Sequence, residues 1–264
     1  MFTTLLMLGW SMNLFRIRGT QLSVHVSFLF LLAYVAWEGW AAAAWRGAIW
    51  LMLGMLAVFV CVTLHELGHA LAARCFGIRV PRILLLPIGG MAEMESIPRR
   101  PRDEIIIALA GPAVNYVLIG LLMIFVRFPH GWHLGYFELT AAGMGRYLVL
   151  ANLVMGVFNL LPAFPMDGGR VLRALLATRL SYLRATQIAA GVGKVVALAG
   201  AACLIYNANY LGGVLFAFII FAGERELRAV ARLEQAAAHW RTIESRFRRP
   251  LEVVETDSAS PRII

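Results

Sequence analysis

His65, Glu66 and His69 stand together in the string T-L-H-E-L-G-H-A, residues 63–70 of a 264-residue chain. On an α-helix, side chains four positions apart leave the same face, so both imidazoles can bind one zinc ion. Glu66 can hold a water beside such a metal and take its proton. The surroundings sharpen the reading. Residues 49–76 form a strongly apolar run, and a charge at the centre of a lipid-spanning helix costs about 2.5–3.5 kcal/mol on the insertion scale. Three polar side chains held there need partners or a chemical task. The competing reading is structural: two histidines hydrogen-bonded between helices, and a glutamate reaching for the interface.

A catalytic zinc commonly takes three protein ligands and keeps a position open for water. The chain has only three aspartates, Asp103, Asp167 and Asp257. Asp257 lies in a charged, small-residue terminal stretch, and Asp103 lies in a basic loop where an ion pair accounts for it. Asp167 lies in N-L-L-P-A-F-P-M-D-G-G-R, residues 159–170, where Pro162, Pro165, Gly168 and Gly169 are expected to break a helix. Broken backbone at membrane depth occurs where it is buried in protein or lines a cavity, so this stretch marks a site. An aspartate capping a helix N-terminus is the alternative reading of Asp167. Asn159 offers an amide to a substrate backbone or a developing oxyanion, a contact worth about 2.7–4 kcal/mol in serine-protease precedent. A span-to-span hydrogen bond accounts for Asn159 equally well.

These residues need a scaffold, and composition says of what kind. The chain is 60% hydrophobic and 15% charged with positive mean hydropathy, against about 45–50% and about 25% in soluble domains, which places it in a lipid bilayer. Its formal charge is +9, carried by 23 arginines and one lysine. Cytoplasmic loops and anionic headgroups account for that excess. No basic run is interleaved with aromatics, so no nucleic-acid partner is expected. Cys61, Cys75 and Cys203 form no C-x-x-C pair, which excludes a disulfide framework or thiolate metal cage.

Periodicity and punctuation predict an all-α polytopic membrane protein of about six transmembrane helices, near residues 24–40, 49–76, 104–128, 139–161, 185–206 and 210–222. His25 at the mouth of the first span reads as a headgroup-zone residue or an extra polar contact. Residues 1–11 make a poor signal peptide, and Met12 offers a more natural start. Residues 77–104 change character, with β-prone Ile78, Val80, Ile83 and Leu85 and helix-breaking Pro81 and Pro87. They predict a small β-hairpin at the membrane surface whose free edge clamps an unwound substrate. Residues 171–184 read as a basic amphipathic helix, and residues 224–247 as a polar one.

With six spans, 20 of the 24 basic residues fall on the face that carries both termini. By the positive-inside rule that face is cytoplasmic, and it holds His65, His69 and the broken segment at one depth. The expected location is the cell (inner) membrane, with the site opening to the cytoplasm.

The H-E-L-G-H of the second span, A-G-P-A-V-N (residues 110–115) of the third and N-L-L-P-A-F-P-M-D-G-G-R after the fourth resemble the site-2 protease family of intramembrane zinc metalloproteases. G-T-Q-L-S-V-H-V-S-F, residues 19–28, is similar to that family's first span. The resemblance runs in order over about residues 13–223. It marks a six-span protease domain there, with an extension at 1–12 and a cytoplasmic helical and loose tail at 224–264. It implies one zinc ion on His65, His69 and Asp167, Glu66 as catalytic base, and a substrate role around Asn115, Asn159 and Pro165. It also implies membrane-spanning, often regulatory, protein substrates cut in or near their spans. The pattern is the compact one, without PDZ-like or paired nucleotide-binding (CBS) domains. Two other classes use the same cluster: a zinc-binding membrane transporter, and a catalytically silent client-binding membrane protein. A transport path needs polar residues through several spans, and apart from Lys194 and the motifs the spans are nearly bare.

Overall fold

No proline interrupts the apolar sequence between Ser27 and Cys75, and it forms a helical hairpin, α1 (Ser27–Cys75). The computed structural model describes residues 10–87, 89–96, 98, 100–128, 138–207 and 210–247. Expectations for residues 1–9, the loop at 129–137 and the tail beyond 247 lie outside them. Straight, the 49 residues of α1 would reach about 74 Å. Instead the helix breaks at Ala43 (φ −153°, ψ 38°) and Ala44 (φ 48°, ψ −142°) and returns along itself. Gly39 and Gly47 meet backbone to backbone, with no room for a Cβ on either. Further down, the Phe28 and Phe59 rings pack edge to face at 4.4 Å. The apolar runs expected at 24–40 and 49–76 are the two legs of this hairpin.

Helix α2 (Pro101–Phe125) starts with proline in its first turn and Asp103 and Glu104 beside it, both suited to a helix N-terminus. Helix α3 (Ala141–Asn159) is capped by Thr140, whose hydroxyl accepts from Gly143 N at 3.0 Å. A short α4 (Asp167–Ala177) precedes α5 (Tyr182–Tyr206). Among the described residues, α1, α2, α3 and α5 are long and apolar enough to cross a membrane. The last helix, α6 (Tyr210–Phe247), joins the apolar run at 210–222 and the polar stretch after it without interruption. Large apolar side chains crowd the outside: Phe30, Trp37, Ile124 and Phe125 are each more than 70% exposed. That surface suits lipid, not water.

The β-structure is larger than the single hairpin expected. Strands β1 (Ser11–Ile17), β2 (Thr20–His25), β3 (Arg82–Leu86) and β4 (Gly89–Glu93) form one sheet in that order. The outer pairs are antiparallel, and β2 runs parallel to β3 with Gln21 opposite Arg82 and Val24 opposite Leu85. Val24 therefore belongs to a strand and not to the first span. Thr20 Oγ1 donates to Val80 O at 2.7 Å, and Gln21 N donates to Pro81 O at 2.8 Å. Ile83, Leu84 and Leu85 are buried in sequence, as in a strand covered on both faces. Leu22, Val24, Ile83 and Leu85 pack with Phe59, Ala70 and Ala73 of α1 and Ile107 of α2. The sheet is thus fixed beside the H-E-L-G-H turns.

Candidate metal centre

Three elements converge on one point. The second leg of α1 brings His65 and His69, α2 lies behind them, and α4 brings Asp167 from the far side. His65 Nε2 and His69 Nε2 are 3.1 Å apart. Asp167 Oδ2 is 3.3 Å from the first and 3.1 Å from the second. All three residues are buried, at 3%, 3% and 6% exposure.

The far nitrogen of each ring is already engaged. His69 Nδ1 donates to the Ile107 carbonyl at 2.7 Å, and a carbonyl only accepts, so the proton sits on Nδ1. His65 Nδ1 donates to Asn115 Oδ1 at 2.8 Å. The Asn115 amide nitrogen donates to Asn152 O at 3.4 Å, which turns its oxygen toward His65. Both Nε2 atoms therefore present lone pairs to a carboxylate oxygen, which has only lone pairs of its own. Asp167 Oδ2 is buried with no hydrogen-bond partner. Three acceptors facing one another call for a cation. Their spacing matches the edge of a tetrahedron with bonds of about 2.0–2.1 Å, roughly 3.3 Å. The donor set fits zinc, and these are the described side chains grouped as a metal could bind them.

Backbone proximity explains the glycines around the centre. Gly111 on α2 faces the ligands, and a Cβ there would run into Nε2 of both histidines. Gly168 and Gly169 lie against the backbone of residues 160–164, which has no space for a side chain between. They sit inside the first turn of α4; the interruption of helix lies before them, at residues 160–166. Met166 is the N-cap of α4 without a side-chain cap bond, and the Asp167 carboxylate is turned to the imidazoles instead.

Glu66, next to His65, is half-buried under the edge strand. A Cβ built on Gly90 of β4 would come within 2.5 Å of Glu66 Cγ. Asn159 ends α3, half-buried, and Pro165 is exposed in the loop leading to Asp167. Asn115 is fully buried behind His65, not in an open cleft. His25 meets Ser27, its Nδ1 2.6 Å from the hydroxyl, and joins no metal group among the described residues. Sequence reading missed the Ile107 carbonyl, because backbone groups leave no mark in residue identity. It also missed Asn152 for the same reason, since its part in the site is a backbone carbonyl that accepts from the Asn115 amide.

A family model described as peptidase family M50 matches residues 53–142 and 136–200, more than half of the chain. A zinc metalloprotease of Methanocaldococcus jannaschii is 36% identical over 225 residues, 84% of this chain and 62% of that protein. Rip3 of Mycobacterium tuberculosis is 31% identical over 264 residues, 89% of this chain and 63% of that protein. The chain thus spans about three-fifths of the length of these curated relatives. Its fold is similar to a solved site-2 protease from Methanocaldococcus jannaschii, with a TM-score of 0.59 and 35% identity over 83% of this chain and 95% of that one.

Proposed function

Because the chain belongs to peptidase family M50, we propose that it is a zinc metalloendopeptidase cutting membrane-anchored, regulatory protein substrates in or beside their spans. The observation that carries this reading is the buried convergence of His65 Nε2, His69 Nε2 and Asp167 Oδ2 at 3.1–3.3 Å beside Glu66. These three residues hold the ion. Zinc, when bound, supplies a Lewis acid that acidifies water toward neutral pH and polarises a carbonyl. Glu66 takes a proton from the attacking water and returns it to the leaving amine. Asn115 and the Ile107 carbonyl hold the rings in the Nδ1–H tautomer, which supports a positioning role for Asn115 in place of direct substrate contact. Asn159 and Pro165, at the two ends of the segment entering α4, stay candidates for substrate contact.

A substrate helix in lipid hides its backbone in its own hydrogen bonds, so it must be unwound before cleavage. The freed groups need new partners at the site. In the four-stranded order β3 is paired on both sides, so the available edge beside Glu66 is β4 and not β3. Chain added to β4 would be held extended next to the catalytic base.

Six crossings follow when the α1 legs are counted separately and the apolar start of α6 is added to α2, α3 and α5. That unit corresponds to residues 13–223. Arg146 donates to the Arg127 carbonyl at 3.2 Å, which puts those two at one end. The sheet, α4 and most of the described arginines lie at the other, which we assign to the cytoplasm.

Purified chain tests the metal reading. His65→Ala combined with His69→Ala should lose bound zinc, and Asp167→Asn should weaken it. Unchanged zinc content in the double variant would put the metal elsewhere.

A further inference from the structure

A second set of buried charges lies close to the centre but outside it. Arg173 on α4 is 3% exposed and Glu104 on α2 is 1% exposed. Arg173 Nε donates to Glu104 Oε1 at 2.9 Å, and Nη2 donates to the same oxygen. Nη1 donates to Glu226 of α6 at 2.6 Å. The guanidinium lies over the rings of Phe164 and Tyr182, at 5.0 and 4.9 Å, and the Tyr182 hydroxyl donates to Glu104 Oε1 at 3.4 Å. One side chain therefore touches α2, α5, α6 and the segment that leads into α4.

Its position relative to the metal ligands gives this meaning. Arg173 follows Asp167 by six residues, about 9 Å along α4. Glu104 precedes Ile107, the His69 anchor, by three residues and Gly111 by seven, about 4.5 and 10.5 Å along α2. The Arg173–Glu104 link thus joins the helix that carries the carboxylate to the helix that backs both imidazoles. Phe164, stacked on the same guanidinium, belongs to the turn immediately before Asp167. A buried ion pair is weak evidence for stability, since apolar side chains of similar volume often serve as well. What the planar fork fixes is distance and orientation.

We propose that Arg173 is a positioning residue of the metal centre: through Glu104 it sets Asp167 against the histidine pair, and through Glu226 it gives α6 a share in that setting. This rests on the reading that His65, His69 and Asp167 bind a metal.

The test uses the full chain in detergent loaded with cobalt(II), whose ligand-field absorption reports coordination geometry independently of proteolysis. Arg173→Met should shift the band and release cobalt to a chelator about 10–100-fold faster, the usual effect of losing a group that orients ligands. Arg173→Lys, keeping the charge but not the fork, should recover part of the loss. Glu226→Gln should accelerate release less, in the same direction. Arg146→Met breaks the pair between buried Arg146 and partly exposed Glu138 at the other end of the molecule. It should lower the melting temperature and leave band and release rate unchanged.

Wild-type band and release rate in Arg173→Met would overturn the proposal, whatever the melting temperature. If that variant does not fold, the same result in Arg173→Lys together with Glu226→Gln would overturn it. Equal acceleration by Arg146→Met would also overturn it, by reducing the effect to general loosening. A wild-type chain without any ligand-field band removes the metal reading itself, a separate outcome.

Discussion

Both imidazoles at the centre are held from behind, His65 by Asn115 and His69 by the Ile107 carbonyl, while Gly111 leaves the space ahead of them clear. Gly111→Ala should therefore displace one or both rings and lose bound zinc while α2 still forms, since alanine favours helix. Full zinc content in that variant would contradict the close approach. Asn115→Ala frees the His65 ring to rotate and change tautomer, and zinc affinity should fall about 10–100-fold. If Asn115 touched substrate instead, the variant would keep its zinc and raise KM alone. His65, Glu66 and His69 stood out in the sequence through identity and helical spacing, and Asp167 through the proline- and glycine-broken segment that holds it; the structure brings His65, His69 and Asp167 together. Asn115 could be read as part of a motif, but its task depends on which way the amide turns. The Ile107 carbonyl and the Arg173–Glu104 link arise only when distant elements meet.

At the scale of elements, the outer edge of β4 is the feature with the sharpest consequence. Successive backbone N–H groups of a strand point to opposite sides, so of Met91 and Ala92 one donates toward β3 and the other outward. Proline at the outward position removes one edge donor and should abolish cleavage with zinc content and melting temperature held. Proline at the inward one should destabilise the sheet. Normal cleavage by both variants would remove β4 from substrate binding. The helices were largely legible, because long apolar runs with capped or proline-marked ends specify them locally. The sheet was half legible. The β1–β2 turn uses Arg18 (φ 44°) and Gly19 (φ 83°) in place of an asparagine-glycine pair, and β2 runs into the apolar start of α1 without a break. Its parallel pairing with β3, about 60 residues away, leaves no local pattern. The α1 hairpin was legible as two apolar runs with a short turn between them, and the break at Ala43–Ala44 falls in that turn; the close contact of Gly39 against Gly47 was not legible.

At the scale of the molecule, the separation of arginines fixes the expected orientation. A reporter inserted at residue 43, in the α1 turn, should be exported, and one fused after Phe247 should stay in the cytoplasm. The opposite labelling would reverse the topology and place cleavage products outside. The account as a whole rests on one ion and one base acting together in a membrane-embedded chain. The most direct measurement is cleavage of a single-span substrate by purified zinc-loaded wild type and Glu66→Gln, with bound zinc determined in the same samples. Equal zinc in both and a rate about 10²–10⁴-fold lower in Glu66→Gln is the predicted result. Near-equal cleavage by the two zinc-loaded proteins would contradict it.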